Sequence, residues 1–392
     1  MPVINRIAAF HEDMIAWRQE IHRNPETAFE EHRTAEFVAG HLAGFGLEVH
    51  RGLAGTGVVA TLRAGRGERA IALRADLDAL HIQEKNALPY ASCVPGKMHA
   101  CGHDGHTAML LGAARYLSET KRFDGVVHFV FQPAEENEGG GRVMVEQGLF
   151  ERFPCDAVYG MHNLPGMPMG EFAIRSGPMM ASYDVFEITV EGRGSHGAMP
   201  HQSIDPVVVA AQIVLGLQTI VSRNVRPIDA AVVSVTQIHG GDTWNVIPET
   251  VILRGTTRCF RSDLRDLMER RIGEIASFMA TAMGATATLR YERRYPPLVN
   301  EDAAVRRALA AAKDVAGDPH RVAGEMEPVM GSEDFAFMLE RKPGAYIMIG
   351  NGGGEGGRNL HNPRYDFNDA ILPIGASYWA RLVETTLGRP EA

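Results

Sequence analysis

Cysteine is scarce in this chain: Cys93, Cys101, Cys155 and Cys259 are the only four in 392 residues, and they are scattered. A disulfide framework is therefore not expected, and the thiols read as reduced, in a cytoplasmic protein. Basic charge is also short, with 39 Lys and Arg against 48 Asp and Glu and a net charge of −9. Nucleic acid and anionic membranes both demand a basic face, so neither is expected as a partner. No segment holds eighteen consecutive apolar residues, so no membrane span is expected. The opening MPVINRIAAFHEDMIAWRQEIHRNP carries charges every few residues and lacks the apolar core of a signal peptide. Two nucleophile and metal signatures, G-x-S-x-G and H-E-x-x-H, are missing as well. What is present is an ordinary globular composition, in a chain long enough for two domains.

Apolar spacing predicts helices over about 3–23 and 31–44, followed by the short strands GVVATLRA and RAIALRAD. A helix over His103 to Leu117, the strand VVHFVFQ, a helix around Arg142–Gln147 and the strand DAVYGMHN come next. Strands alternating with helices imply an α/β, mostly parallel sheet, whose ligands gather beyond the carboxyl ends of the strands. From Tyr183 the order becomes β-α-β-β-α-β, that of a ferredoxin-like α+β unit. The expected organisation is a first domain over 1–182, an inserted domain over 183–297, and a return to the first domain over 298–392. The Gly-rich run GNGGGEGGRN lacks the Lys-Ser/Thr of a phosphate loop and reads as a flexible loop.

Metal-capable side chains accumulate at the predicted strand ends. Asp76 and Asp78 follow one strand, Cys101 and His103 lie in MHACGHDGHT, and Glu135 and Glu136 follow another strand. His162 and His361 come from two further segments. Each alone has an ordinary reading, such as a solvated His, a buried Cys or an exposed acidic pair. Their convergence on one sheet edge points to a metal centre, and a mixture of thiolate, imidazole and carboxylate suits transition metals over Ca²⁺ or Mg²⁺. Cys-x-His on locally extended backbone would place both donors on one side. On extended chain Glu135 and Glu136 would point apart, one as ligand and the other able to take a proton from water. His99 reads as a loop residue, His106 as a support for the ligands or a helix-start residue, and Asp104 as a helix cap. His128 reads as a packed core histidine.

The series RADLDAL, MHACGHDGHTAMLLGAA, QPAEE, GMHNLP, GSHGAMPH, NVIP, GSEDF and LHNPRYDFND runs in order over nearly the whole chain. It resembles the metal-dependent amidohydrolases that include hippurate hydrolases, N-acyl-L-amino-acid amidohydrolases and auxin-conjugate hydrolases, within the aminoacylase and carboxypeptidase-like group. The resemblance implies an α/β metallohydrolase domain and a ferredoxin-like lid that makes a homodimer or higher homo-oligomer. It implies one or two divalent metals, Mn²⁺ or Zn²⁺ first and Co²⁺ or Ni²⁺ as alternatives. Position by position, Cys101, His103, Glu136, His162 and His361 fall on the metal ligands, with Cys101 bridging. Glu135 falls on the general acid/base, and Asp78 on an aspartate that orients a ligand. In the lid, His196 matches a histidine that stabilises the oxyanion, often reaching in from the partner subunit. Asn245 and Arg258 match positions near the substrate carboxylate or oxyanion, although Arg258 also reads as a solvated strand-end arginine. Asp76, His81 (where many relatives have proline) and His201 receive no role.

The implied reaction is hydrolysis of the amide of an N-acyl amino acid, hippurate-like or N-acetylated. The alternatives are a dipeptidase or carboxypeptidase, or an N-acetyl-diaminopimelate-type deacetylase, using the same site. A non-catalytic binding protein on this fold would have no need of Glu135.

Overall fold

The computed structural model describes residues 3–136, 138–353 and 359–388. It divides into two compact units, one of Met1–Gly177, Val299–Glu327 and Asp334–Ala392, the other of Pro178–Leu298 and Pro328–Glu333.

The first unit is built on an eight-stranded sheet. Its strands lie in the order Glu48–Leu53, Gly57–Ala64, Gly125–Gln132, Ala70–Asp76, Ala157–Pro165, Gly344–Gly352, Phe172–Ala173 and Val322–Ala323. The four strands from Gly125–Gln132 to Gly344–Gly352 run parallel to one another. The first two strands join antiparallel, as does Phe172–Ala173. Every residue of Ala70–Asp76 and Gly125–Gln132 is buried, as expected of strands covered on both faces. Helix His103–Thr120 packs on the sheet and is itself covered by the helices His11–Arg23 and Leu372–Thr386. That layering explains why its residues from His103 to Ala114 are all buried. The first expected helix is interrupted: Asn5–Ala8 and His11–Arg23 are separate, with Phe10 outside helical geometry between them. The Gly-rich run begins inside the strand Gly344–Gly352, so its first three residues are not loop, and its residues 354–358 lie outside the described residues.

The second unit has a four-stranded antiparallel sheet in the order Ala231–His239, Thr250–Cys259, Tyr183–Glu191 and Thr286–Tyr295. Burial alternates along Tyr183–Glu191, so one face is the core, and helices Pro206–Thr219 and Ser262–Ala282 cover it. Asp205 caps the first of these helices by accepting from the Val207 and Val208 amides, with Pro206 in its first turn. Pro206–Asn224 is long and apolar enough to cross a membrane by length and composition. In the fold, Val209, Ala210, Ile213 and Leu217 on one of its faces fill the core of this unit.

Candidate metal centre

Helix His103–Thr120 starts immediately after Gly102, whose backbone is left-handed with φ 93°. A Cβ there would stand 2.3 Å from Asn163 Nδ2 and 2.5 Å from the Tyr365 hydroxyl, so the turn requires glycine. This tight turn, not extended backbone, presents Cys101 and His103 together. Cys101, His103 and His162 bring their ligand atoms within 4.8 Å of one another, and Cys101, Glu136 and His361 do the same. The two triads share the Cys101 sulfur. His162 comes from the strand Ala157–Pro165, with Nε2 3.4 Å from Cys101 Sγ. His361 is tied to the same loop by its amide, which donates to the Ala100 carbonyl at 2.8 Å.

The Glu135-Glu136 pair also departs from the extended geometry expected for it. Ala134 has φ 55°, and the two glutamates sit in a turn. Both carboxylates consequently reach the same place, within 4.8 Å of a His103 ring nitrogen and of each other. Glu135 is buried, and its Oε1 accepts from the Asp334 amide at 3.4 Å. Asp78 links the ligands from behind: Oδ1 lies 3.2 Å from His103 Nδ1, and Oδ2 accepts the Glu136 amide at 2.8 Å.

Hydrogen bonds fix the ring tautomers. His103 Nδ1 donates to the Asp78 carbonyl at 2.9 Å, and its buried Nε2 has no hydrogen-bond partner among the described residues. His162 Nδ1 donates to the Asn163 carbonyl at 2.6 Å, leaving the Nε2 lone pair to accept from the Cys101 thiol at 3.4 Å. His106 differs, because its Nδ1 donates to Asp76 Oδ1 at 2.6 Å and its Nε2 accepts the Asn163 amide at 3.0 Å. With both nitrogens engaged, His106 is a spacer between Asp76 and Asn163 and has no lone pair for a metal.

Electrostatics fit a cation. Burial opposes charge on His103, yet Asp76, then Asp78 and Glu136, raise its pKa to about 10, so the site favours positive charge at Nε2. Burial, followed by Glu136, Glu135 and Asp76, pushes the Cys101 thiol well up. Burial and then the neighbouring His106 hold His162 well below the usual imidazole range. Glu136 Oε1 lies 3.1 Å from His361 Nε2 without the alignment of a hydrogen bond. A buried imidazole nitrogen without a partner, an imidazole lone pair met only by a thiol, and a misaligned carboxylate facing one another are what a divalent cation would satisfy.

Several supporting residues escaped the sequence reading. Fully buried Arg74 donates to Gln132 Oε1, Asp76 Oδ2 and Asp334 Oδ1 at 2.8, 2.7 and 3.0 Å. The signal was visible as an arginine inside the apolar strand AIALRAD and an aspartate in GSEDF. Asp104 is not a cap: it is buried against His22 Nδ1 at 2.8 Å and Arg18 at 3.6 Å. His128 is the packed histidine expected, bonded to Thr61 at 2.9 Å.

His196, Asn245 and Arg258 belong to the second unit. Ser195–His196 pairs with Val246–Ile247, and the Gly197 amide donates to the Asn245 carbonyl, so His196 and Asn245 are neighbours. His196 Nδ1 accepts the Ala198 amide at 3.1 Å, which leaves Nε2–H of the exposed ring as a donor. Arg258 is not a freely solvated arginine. It stacks on Tyr183 at 4.2 Å and donates to Ser332 at 3.1 Å.

The profile of Peptidase family M20/M25/M40 matches residues 72–385. A Campylobacter jejuni hippurate hydrolase is 42% identical over 365 residues, covering 93% of this chain and 94% of its own. A Bacillus subtilis N-acetyl-L-cysteine deacetylase is 39% identical, covering 95% and 88%. Among solved structures, the Bacillus subtilis YXEP protein, a dinuclear metal binding peptidase from the M20 family, matches with a TM-score of 0.84. It is 35% identical and covers 97% of this chain and 99% of its own. The chain belongs to the M20/M25/M40 peptidase family.

Proposed function

We propose that this protein is a metal-dependent amidohydrolase that cleaves N-acyl amino acids, hippurate-like or N-acetylated, to a carboxylate and a free amino acid. The observation carrying the reading is the pair of donor triads that share Cys101, with Glu135 beside them. Cys101, His103 and His162 would hold one ion and Cys101, Glu136 and His361 another, with Mn²⁺ or Zn²⁺ the leading candidates. Such ions supply Lewis acidity toward a water and the scissile carbonyl. Glu135 takes the proton of the attacking water and returns it to the leaving nitrogen. Asp78 orients His103 and Glu136 together. His196, through Nε2–H, is assigned to the oxyanion, and Asn245 and Arg258 to the substrate carboxylate, in a homodimer.

The test pairs metal content by mass spectrometry with turnover of hippurate, N-acetyl amino acids and free dipeptides. Glu135→Gln should keep its metal and lose about 10²- to 10⁴-fold in kcat. Normal turnover by this variant would refute the role of Glu135. Preference for dipeptides with a free amino terminus would refute the substrate class.

A further inference from the structure

Glu31 is fully buried at the start of helix His32–Gly44 but makes no cap bond to that helix. The cap is supplied by Glu26, whose carboxylate accepts the Arg33 and Thr34 amides at 3.0 and 2.8 Å. Glu31 instead reaches across 103 positions of sequence, where Oε1 accepts the Ala134 amide at 2.9 Å. The same oxygen accepts the Phe29 amide at 3.1 Å, and Oε2 accepts the Thr56 hydroxyl at 2.7 Å. A carboxylate removed from water and given three donors is held in one place.

Ala134 is the left-handed residue immediately before Glu135, a backbone state uncommon for alanine. Its carbonyl is held by the Gly140 amide at 2.8 Å, so Glu31 holds one side of this residue and Gly140 the other. Glu136 has a separate support, because its amide is bonded to Asp78. The two glutamates are thus anchored by different carboxylates.

We propose that Glu31 is a positioning residue for Glu135: by fixing the Ala134 amide, it sets the turn that aims the Glu135 carboxylate. This rests on the reading of Glu135 as the proton carrier. Release of Ala134 toward an ordinary backbone geometry would swing Glu135 while leaving Glu136 and the other donors in place.

The test contrasts reach with charge in the metal-loaded enzyme. Glu31→Gln keeps an oxygen at the same reach for both amides, and the Thr56 hydroxyl can reverse its role, so kcat should stay within about threefold of wild type. Glu31→Asp keeps the charge but falls short by one methylene. It should lower kcat about 10- to 100-fold with KM within about twofold, because a misplacement near 1 Å is worth that much. Metal content should match wild type in both variants. In a Glu135→Gln background, Glu31→Asp should cost nothing further, since the two changes act through one carboxylate.

Wild-type kcat in Glu31→Asp, with Glu135→Gln inactive, would overturn this inference alone. So would Glu31→Gln falling as far as Glu31→Asp, or loss of metal from either variant. Normal turnover by Glu135→Gln would instead overturn the underlying reading of Glu135.

Discussion

Gly102→Ala probes the turn between Cys101 and His103 most directly. Left-handed backbone costs an alanine roughly 1–2 kcal/mol. The added methyl also meets two atoms that cannot retreat cheaply. Asn163 Nδ2 is bonded to the Cys101 carbonyl at 2.6 Å, and the Tyr365 hydroxyl donates to Asn163 Oδ1 at 2.8 Å. Both side chains are fully buried, and overpacking of this kind costs about 1–3 kcal/mol. The sum, about 2–5 kcal/mol, corresponds to a fall in Tm on the order of 4–20 °C for a unit of this size. Asn163 and the two donors are coupled, so metal affinity should fall about 10- to 100-fold as well. Calorimetry of metal-free protein and a competitive chelator titration measure the two effects. A Tm within about 1 °C of wild type, with unchanged metal affinity, would refute the steric account of this turn.

Two further predictions follow from buried charge. Burial opposes a charged His22 ring, but hydrogen bonds to Asp104 and Glu84 raise its pKa to about 9. Its folded pKa lies above the unfolded value near 6.5. The stabilisation should therefore be complete below about pH 6.5 and lost as pH rises through 9, about 3 kcal/mol in all. Urea unfolding of wild type and His22→Gln should diverge most at pH 6 and converge by pH 10, whereas parallel curves would contradict the assignment. Arg74→Met should cost about 3–5 kcal/mol by removing the shared partner of Asp76 and Asp334. A urea midpoint equal to wild type would show that those carboxylates do not depend on it.

The architecture was legible because its signals are long. Ala70–Asp76 and Gly125–Gln132 read as apolar runs bounded by polar residues, and they are buried strands. The alternation in YDVFEITVE likewise matches a sheet with one covered face. Residue types at strand ends and in loops pointed only to a metal centre somewhere among eight such side chains; the resemblance singled out Cys101, His103, Glu136, His162 and His361, whose donor atoms the fold groups around Cys101. What was not legible was local backbone geometry. Nothing in the letters of CGH or PAEE shows that Gly102 and Ala134 are left-handed, because those conformations depend on distant partners such as Asn163 and Glu31. Asp104 was misread for a related reason. Its position suggested a cap, but its partners, His22 and Arg18, lie more than eighty residues earlier.

The shared sulfur also has a meaning in time. On a growing chain, Cys101, His103 and His162 are all synthesised long before His361. At 5–20 residues per second, the roughly two hundred residues between the last two histidines take on the order of 10–40 s. The first triad is thus complete as sequence while the second still lacks a corner. The ribosome itself imposes an order of assembly on two donor triads that, in the finished fold, meet at one atom.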